Sequence, residues 1–154
     1  MSDNAEMVTG IDVPIYLQYT FTAGAALSRF LTSIREGRIV GQRCPGCSCV
    51  YVPPRGSCAR CGIPTEEEVE VSDEGTIEAF TIVHIPLPGN PIQPPFIAAN
   101  IRLDGTDMAC LHLVSGVPTD QVRVGMRVKA VWKPREEWDY TFENISWFKP
   151  VEGA

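Results

Sequence analysis

Two short stretches decide how this chain folds: Cys44-Pro45-Gly46-Cys47-Ser48-Cys49 and Cys58-Ala59-Arg60-Cys61-Gly62. Each holds a Cys-x-x-Cys pair, and ten residues separate the pairs. Such a pair turns tightly enough to aim both sulfurs at one point. Between them, Val50-Tyr51-Val52-Pro53-Pro54-Arg55-Gly56-Ser57 reads as a strand followed by a Pro-Gly turn, which can bring the second pair back to the first. Cys44, Cys47, Cys58 and Cys61 are therefore the expected ligands of one tetrahedral S4 site, which suits Zn(2+). A four-thiolate site keeps no open position for water, so the metal is expected to be structural and to help fold a zinc ribbon. Cys49 complicates the first knuckle, because Ser48 stands where the second knuckle has Gly62. An alternative ligand, a redox-sensitive spare and a bystander are the roles open to Cys49. Cys-x-Cys spacing gives a different turn and favours the bystander.

Composition narrows the class. A chain of 154 residues fits one compact domain, or a small domain with a mini-domain attached. The net charge of -6 argues against broad nucleic-acid binding, which needs a basic surface. That charge is uneven. Arg38, Arg43, Arg55 and Arg60 fall in a stretch without acids, whereas Glu66 to Glu78 carries acids without a base. Six cysteines would suit disulfides in a secreted chain. The acidic start Met1-Ser2-Asp3-Asn4-Ala5-Glu6 has no apolar signal core, however, and no run approaches the roughly 20 apolar residues of a membrane span. A cytoplasmic protein with metal-bound thiolates, not associated with membranes, is expected.

Working outward from the cysteines, the expected segments are residues 1–37 (arm and helix), 38–72 (ribbon) and 73–154 (barrel). Residues 1–10 are polar and expected to be mobile. Ile11 to Phe21 is extended, apolar and aromatic, and needs a surface to lie on. A helix is expected from an N-cap at Thr22 to a stop at Gly37. Leu27, Phe30, Leu31 and Ile34 form its single apolar stripe. Packing on its own chain and docking to another subunit both fit this stripe, and periodicity leans to the first.

Beyond the turn expected at Asp73-Glu74-Gly75, strands follow one another: Thr76–Ile85, Phe96–Leu103, Met108–Val114, Gly125–Lys133 and Thr141–Phe148. In the fourth, Val124, Met126, Val128, Ala130 and Trp132 alternate with Arg127, Lys129, Val131 and Lys133. Five antiparallel strands suit a small Greek-key barrel of the OB type. The fold class is mainly β. The loop from His84 to Pro95 is stiffened by five prolines, and with Pro86, Pro88 and Pro94 it is a candidate contact for an acyl chain or a protein. The segment from Lys133 to Tyr140, with Arg135 and Trp138, mixes charge with large rings, as binding surfaces do.

Catalytic residues are not expected on this chain. Cys110 and His112 share one strand face, but a nucleophile also needs a third, orienting group. No phosphate-cradling glycine loop or serine elbow occurs.

The ordered set Tyr19-Thr20-Phe21-Thr22-Ala23-Gly24, Glu36-Gly37-Arg38, Arg43-Cys44-Pro45, Val50-Tyr51-Val52-Pro53-Pro54-Arg55, Cys58-x-x-Cys61-Gly62, Asp73-Glu74-Gly75-Thr76 and Trp132-Lys133-Pro134-Arg135-Glu136-Glu137-Trp138 spans nearly the whole chain. It resembles the zinc-ribbon and OB-fold family called domain of unknown function thirty-five, which is associated with acyl-CoA metabolism. Ser48-Cys49 departs from that family's usual Gly-polar pair. The resemblance implies an N-terminal helical segment, a rubredoxin-like ribbon and a C-terminal OB barrel. It also implies an accessory subunit of a thiolase-like enzyme of the lipid-transfer-protein type, in a heterotetramer whose partner supplies the catalytic residues. One such partner is an aldolase that cleaves a β-hydroxyacyl-CoA in sterol side-chain breakdown. On this reading the arm, with Tyr19 and Phe21, and the helix, with Phe30, contact the partner, and the basic ribbon attracts a CoA phosphate. Two other readings stand beside it. An autonomous acyl-CoA-binding module would use Arg123, Arg127, Lys129, Lys133 and Arg135. A nucleic-acid binder would exploit the ribbon and barrel, against the net charge.

Overall fold

The computed structural model describes residues 9–13, 17–86 and 88–151. Expectations for residues 1–8, 14–16, 87 and 152–154 lie outside it. Helix α1 (Gly24–Arg35) buries Phe30 and Ile34, and Leu27 and Leu31 pack beside them, so the apolar stripe faces the chain's own core. Its N-cap is Ala23 rather than Thr22, with no side-chain cap. Its end is a Schellman motif: the Arg38 N–H donates to Ser33 O at 2.9 Å and the Gly37 N–H to Ile34 O at 3.0 Å. Gly37 takes the left-handed conformation this motif needs, with φ +81°.

Three strands build the ribbon sheet: β1 (Ile39–Arg43), β2 (Val50–Tyr51) and β3 (Glu67–Val71), in the order β2-β1-β3, all antiparallel. Five more close a barrel: β4 (Glu74–Val83), β5 (Phe96–Leu103), β6 (Cys110–Val114), β7 (Arg127–Trp132) and β8 (Ile145–Pro150), in the order β4-β5-β6-β8-β7. Alternation places Ile97, Ala99, Ile101 and Leu103 of β5, and Val128 and Ala130 of β7, in the barrel core.

The barrel corrects four expectations. It is not wholly antiparallel: β6 and β8 run parallel and meet at a single register pair, Val114 and Phe148. The last strand begins at Ile145, because Phe142–Asn144 is a 3-10 turn opened by Thr141, whose side chain accepts from the Glu143 N–H. Glu74 and Gly75 belong to β4 rather than to a turn. A Cβ on Gly75 would lie 2.5 Å from Arg102 O, so this glycine lets two strands approach. Val124, expected on the core face, is 61% exposed beside Gly125.

Helix, ribbon and barrel share one hydrophobic cluster, in which Phe30, Ile34, Ile39 and Val52 pack with barrel residues such as Ile77 and Phe148. Asn144 ties the helix to the barrel. Its amide donates to Ile34 O at 3.4 Å and to Asp139 O at 2.7 Å.

Candidate functional site

The two cysteine turns are copies of each other. In the first, the Ser48 N–H donates to Cys44 O and the Cys44 N–H to Cys49 O, both at 2.9 Å. In the second, the Gly62 N–H donates to Cys58 O and the Cys58 N–H to Ile63 O, also at 2.9 Å. Ser48 is thus the counterpart of Gly62, and both are left-handed, with φ +61° and +69°. Cys49 is the counterpart of Ile63 and lies buried. Its sulfur accepts from Arg60 Nη1 at 3.4 Å.

The sulfurs of Cys44, Cys47, Cys58 and Cys61 all lie within 4.8 Å of one another, and Cys49 is not part of this group. Cys47 Sγ and Cys58 Sγ are 3.6 Å apart. Four Zn–S bonds of about 2.3 Å in a tetrahedron place the sulfurs roughly 3.8 Å apart, so the residues fit a structural zinc. The Gly46 N–H donates to Cys44 Sγ and the Cys61 N–H to Cys58 Sγ, each at 3.4 Å, as suits bound thiolates. Tyr51 Oη lies 3.2 Å from Cys58 Sγ; with Cys58 as a thiolate the hydroxyl is the donor, and this hydrogen bond does most to lower the Cys58 thiol to about 6. Nothing in the cysteine spacing pointed to Tyr51. Its place in the strand between the knuckles was the available signal.

The remaining candidates separate into buried, paired and open groups. Phe30 is core, 5.6 Å from the Phe142 ring, rather than a surface contact. Tyr19 and Phe21 are 71% and 67% exposed, and Ile11, Val13 and Leu17 of the same arm are exposed too. Pro86 and Pro88 are exposed and Pro94 half-buried. Arg127 is held by Asp104 through two hydrogen bonds of 2.7 and 2.5 Å, which links β7 to the turn after β5. Lys129 pairs with Glu74 at 3.2 Å. Arg29 of α1 pairs with Glu68, and Arg38 and Arg43, two of the four ribbon arginines, pair with Glu70 and Glu67 of the acidic strand β3. Trp138 is half-buried against Gly37, and its indole N–H donates to Lys133 O at 2.8 Å. Arg135 sits 5.8 Å over the Trp138 ring.

Cys110 and His112 each engage other partners. Burial pushes the Cys110 thiol up to about 11, and it donates to Ile101 O. His112 Nδ1 accepts from the Leu113 N–H at 2.9 Å, and its ring meets Phe142 and Phe148 edge-on, each at 5.3 Å.

An apolar groove of 650 Å³ opens on the outside of the barrel. Leu111, Leu113 and Trp147 line it on β6 and β8, Ile92 on the proline-rich loop and Phe142 on the 3-10 turn. Of the candidates read from sequence, Lys133, His112 and the proline-rich loop, through Pro91 and Ile92, line it. The missed signal was β6 itself, which carries leucine at its outward positions 111 and 113 as well as apolar groups inward.

Comparison with known proteins follows this architecture. Residues 32–67 match the model of the ChsH2 rubredoxin-like zinc ribbon domain, and residues 68–133 that of the ChsH2 C-terminal OB-fold domain. A DUF35 domain-containing scaffold protein of Methanocaldococcus jannaschii is 32% identical over 74% of this chain and 82% of its own length. The chain belongs to the DUF35 family. A probable enoyl-CoA hydratase alpha subunit of Thermomonospora curvata is 29% identical over 64% of this DUF35 chain, but the match spans only 30% of that relative. Among solved structures, a DUF35 protein of unknown function from Sulfolobus solfataricus is 25% identical, with a TM-score of 0.63 over 83% of this chain and 87% of that one. The Ltp2-ChsH2(DUF35) aldolase shares the fold at 22% identity, with a TM-score of 0.59 over 79% and 91%. No helix among the described residues of this DUF35 chain is long and apolar enough to cross a membrane.

Proposed function

We propose that this chain is a non-catalytic partner subunit of a thiolase-like acyl-CoA enzyme. The exposed apolar arm carries the reading. Among the described residues, its apolar side chains Ile11, Val13, Leu17, Tyr19 and Phe21 are exposed. An exposed apolar segment of this kind marks a protein contact. The closed S4 site, and the engagement of Cys110 and His112 with backbone and ring partners, are consistent with chemistry carried by the partner. Kinship with a scaffold protein, and a fold shared with the DUF35 part of an aldolase, support the same view. Most concretely, the partner is a lipid-transfer-protein-type aldolase that cleaves a β-hydroxyacyl-CoA, as in sterol side-chain breakdown, within a cytoplasmic heterotetramer. This chain supplies stability, an interface and part of the acyl-CoA channel.

Co-expression with a thiolase-like protein encoded beside it tests the proposal. A stable complex whose activity exceeds that of the neighbour alone is the expected result. Two chains that purify apart, with the neighbour fully active by itself, would overturn it.

A further inference from the structure

An OB barrel has a preferred ligand face, made by its second and third strands and by the loops joining strands 1 to 2 and 4 to 5. Here those are β5, β6, residues 88–95 and residues 133–144. The 650 Å³ groove lies on this face. Its volume falls in the range of about 300–1,000 Å³ typical of small-molecule sites. It opens where β6 and β8 diverge from their single register pair.

Its chemistry departs from the usual use of the face. Single-stranded nucleic acid wants a cationic groove with stacking rings. Leu111 is 68% exposed and Trp147 40%, and the charged groups lining the groove are one base, Lys133, and one acid, Glu143. Lys133 enters no salt bridge among the described residues. A polyanion gains little from that balance, whereas an apolar chain with a polar end at Lys133 covers the leucines. Prolines 91, 94 and 95 stiffen the adjoining loop, which lowers the ordering entropy on binding.

We infer that this groove binds an extended acyl chain, with its polar end toward Lys133. That the chain arrives as a CoA thioester rests on the partner-subunit reading; the preference for an apolar chain does not. The full-length protein, checked for zinc content and circular dichroism, is titrated with decanoyl-CoA, decanoate and CoA alone while tryptophan emission is followed. Both acyl ligands, or decanoyl-CoA only, are expected to change the emission, whereas CoA is not. The change disappears in Trp147→Phe. Leu111→Asp weakens the apparent affinity by about tenfold or more, since it sets a charge on the apolar floor. Leu111 is largely exposed, so that substitution spares the fold. No response to either acyl ligand, an equal response to CoA alone, or indifference to Leu111→Asp overturns the inference. So does a Leu111→Asp protein that loses only its partner subunit, for that makes the face a protein contact. Failure of the partner reading is read separately, as absence of a complex from a protein that still binds decanoate.

Discussion

The ring of Trp138 occupies the space that a side chain on Gly37 would enter: a Cβ there would lie 2.7 Å from two ring carbons. One residue ends helix α1 and the other sits in the connector between β7 and β8, so their contact fixes the helix to the barrel. Gly37→Ala combines a left-handed backbone with an overpacked contact, and is expected to cost roughly 2–4 kcal/mol. In a Trp138→Ala background the cost should fall toward the backbone part alone. Denaturant unfolding of the four proteins of this cycle measures the coupling.

Ser48 is strained where its counterpart Gly62 is not. Ser48→Gly removes a left-handed penalty of about 1–2 kcal/mol, offset in part by the roughly 0.5–1 kcal/mol of extra chain entropy that glycine loses. A net gain of up to about 1.5 kcal/mol is expected, visible as a higher Tm at fixed zinc. An unchanged or lower Tm would show that the Ser48 side chain contributes more than the strain costs.

The ligand set is testable by elemental analysis. Cys58→Ser should lose zinc and fold poorly, whereas Cys49→Ser should keep one zinc per chain, because only the Cys58 sulfur belongs to the group of four. Tyr51→Phe should keep the fold but weaken zinc retention against a chelator by about 10–100-fold, since Tyr51 donates to the Cys58 thiolate.

His112 makes stability depend on pH. Burial lowers its pKa below the ordinary imidazole value, against opposing effects of Leu113, Phe142 and Glu143. Below about pH 6.5 the unfolded chain therefore takes up a proton that the folded chain resists. The stability contributed by neutral His112 is present above that pH and is lost as pH falls toward the folded value. Between about pH 7.5 and 5.5 the native protein should lose more stability than His112→Leu does, as measured by urea midpoints at each pH.

Much of the fold could be read from one-dimensional periods. The Leu27, Phe30, Leu31, Ile34 stripe and the two knuckles carry their own geometry. Pairing is different, because alternation fixes which face a strand shows and not which neighbour it has. That is why the parallel β6–β8 pair was hidden. The candidate site divides in the same way. The zinc ligands are local in sequence. The groove joins Ile92, Leu111, Phe142 and Trp147 from separate elements, and an outward leucine in a strand looks no different from an inward one. Arg127 was misleading for a related reason: its partner Asp104 is distant in sequence and lies across the barrel sheet.

Because Phe30, Ile34, Ile39 and Val52 pack in the same cluster as Ile77 and Phe148, the barrel cannot be cut out of this chain without leaving an oily scar. Evolution could lengthen the arm, exchange the knuckles or recut the loops. Any descendant that discarded the first fifty residues would need another molecule to dress the wound.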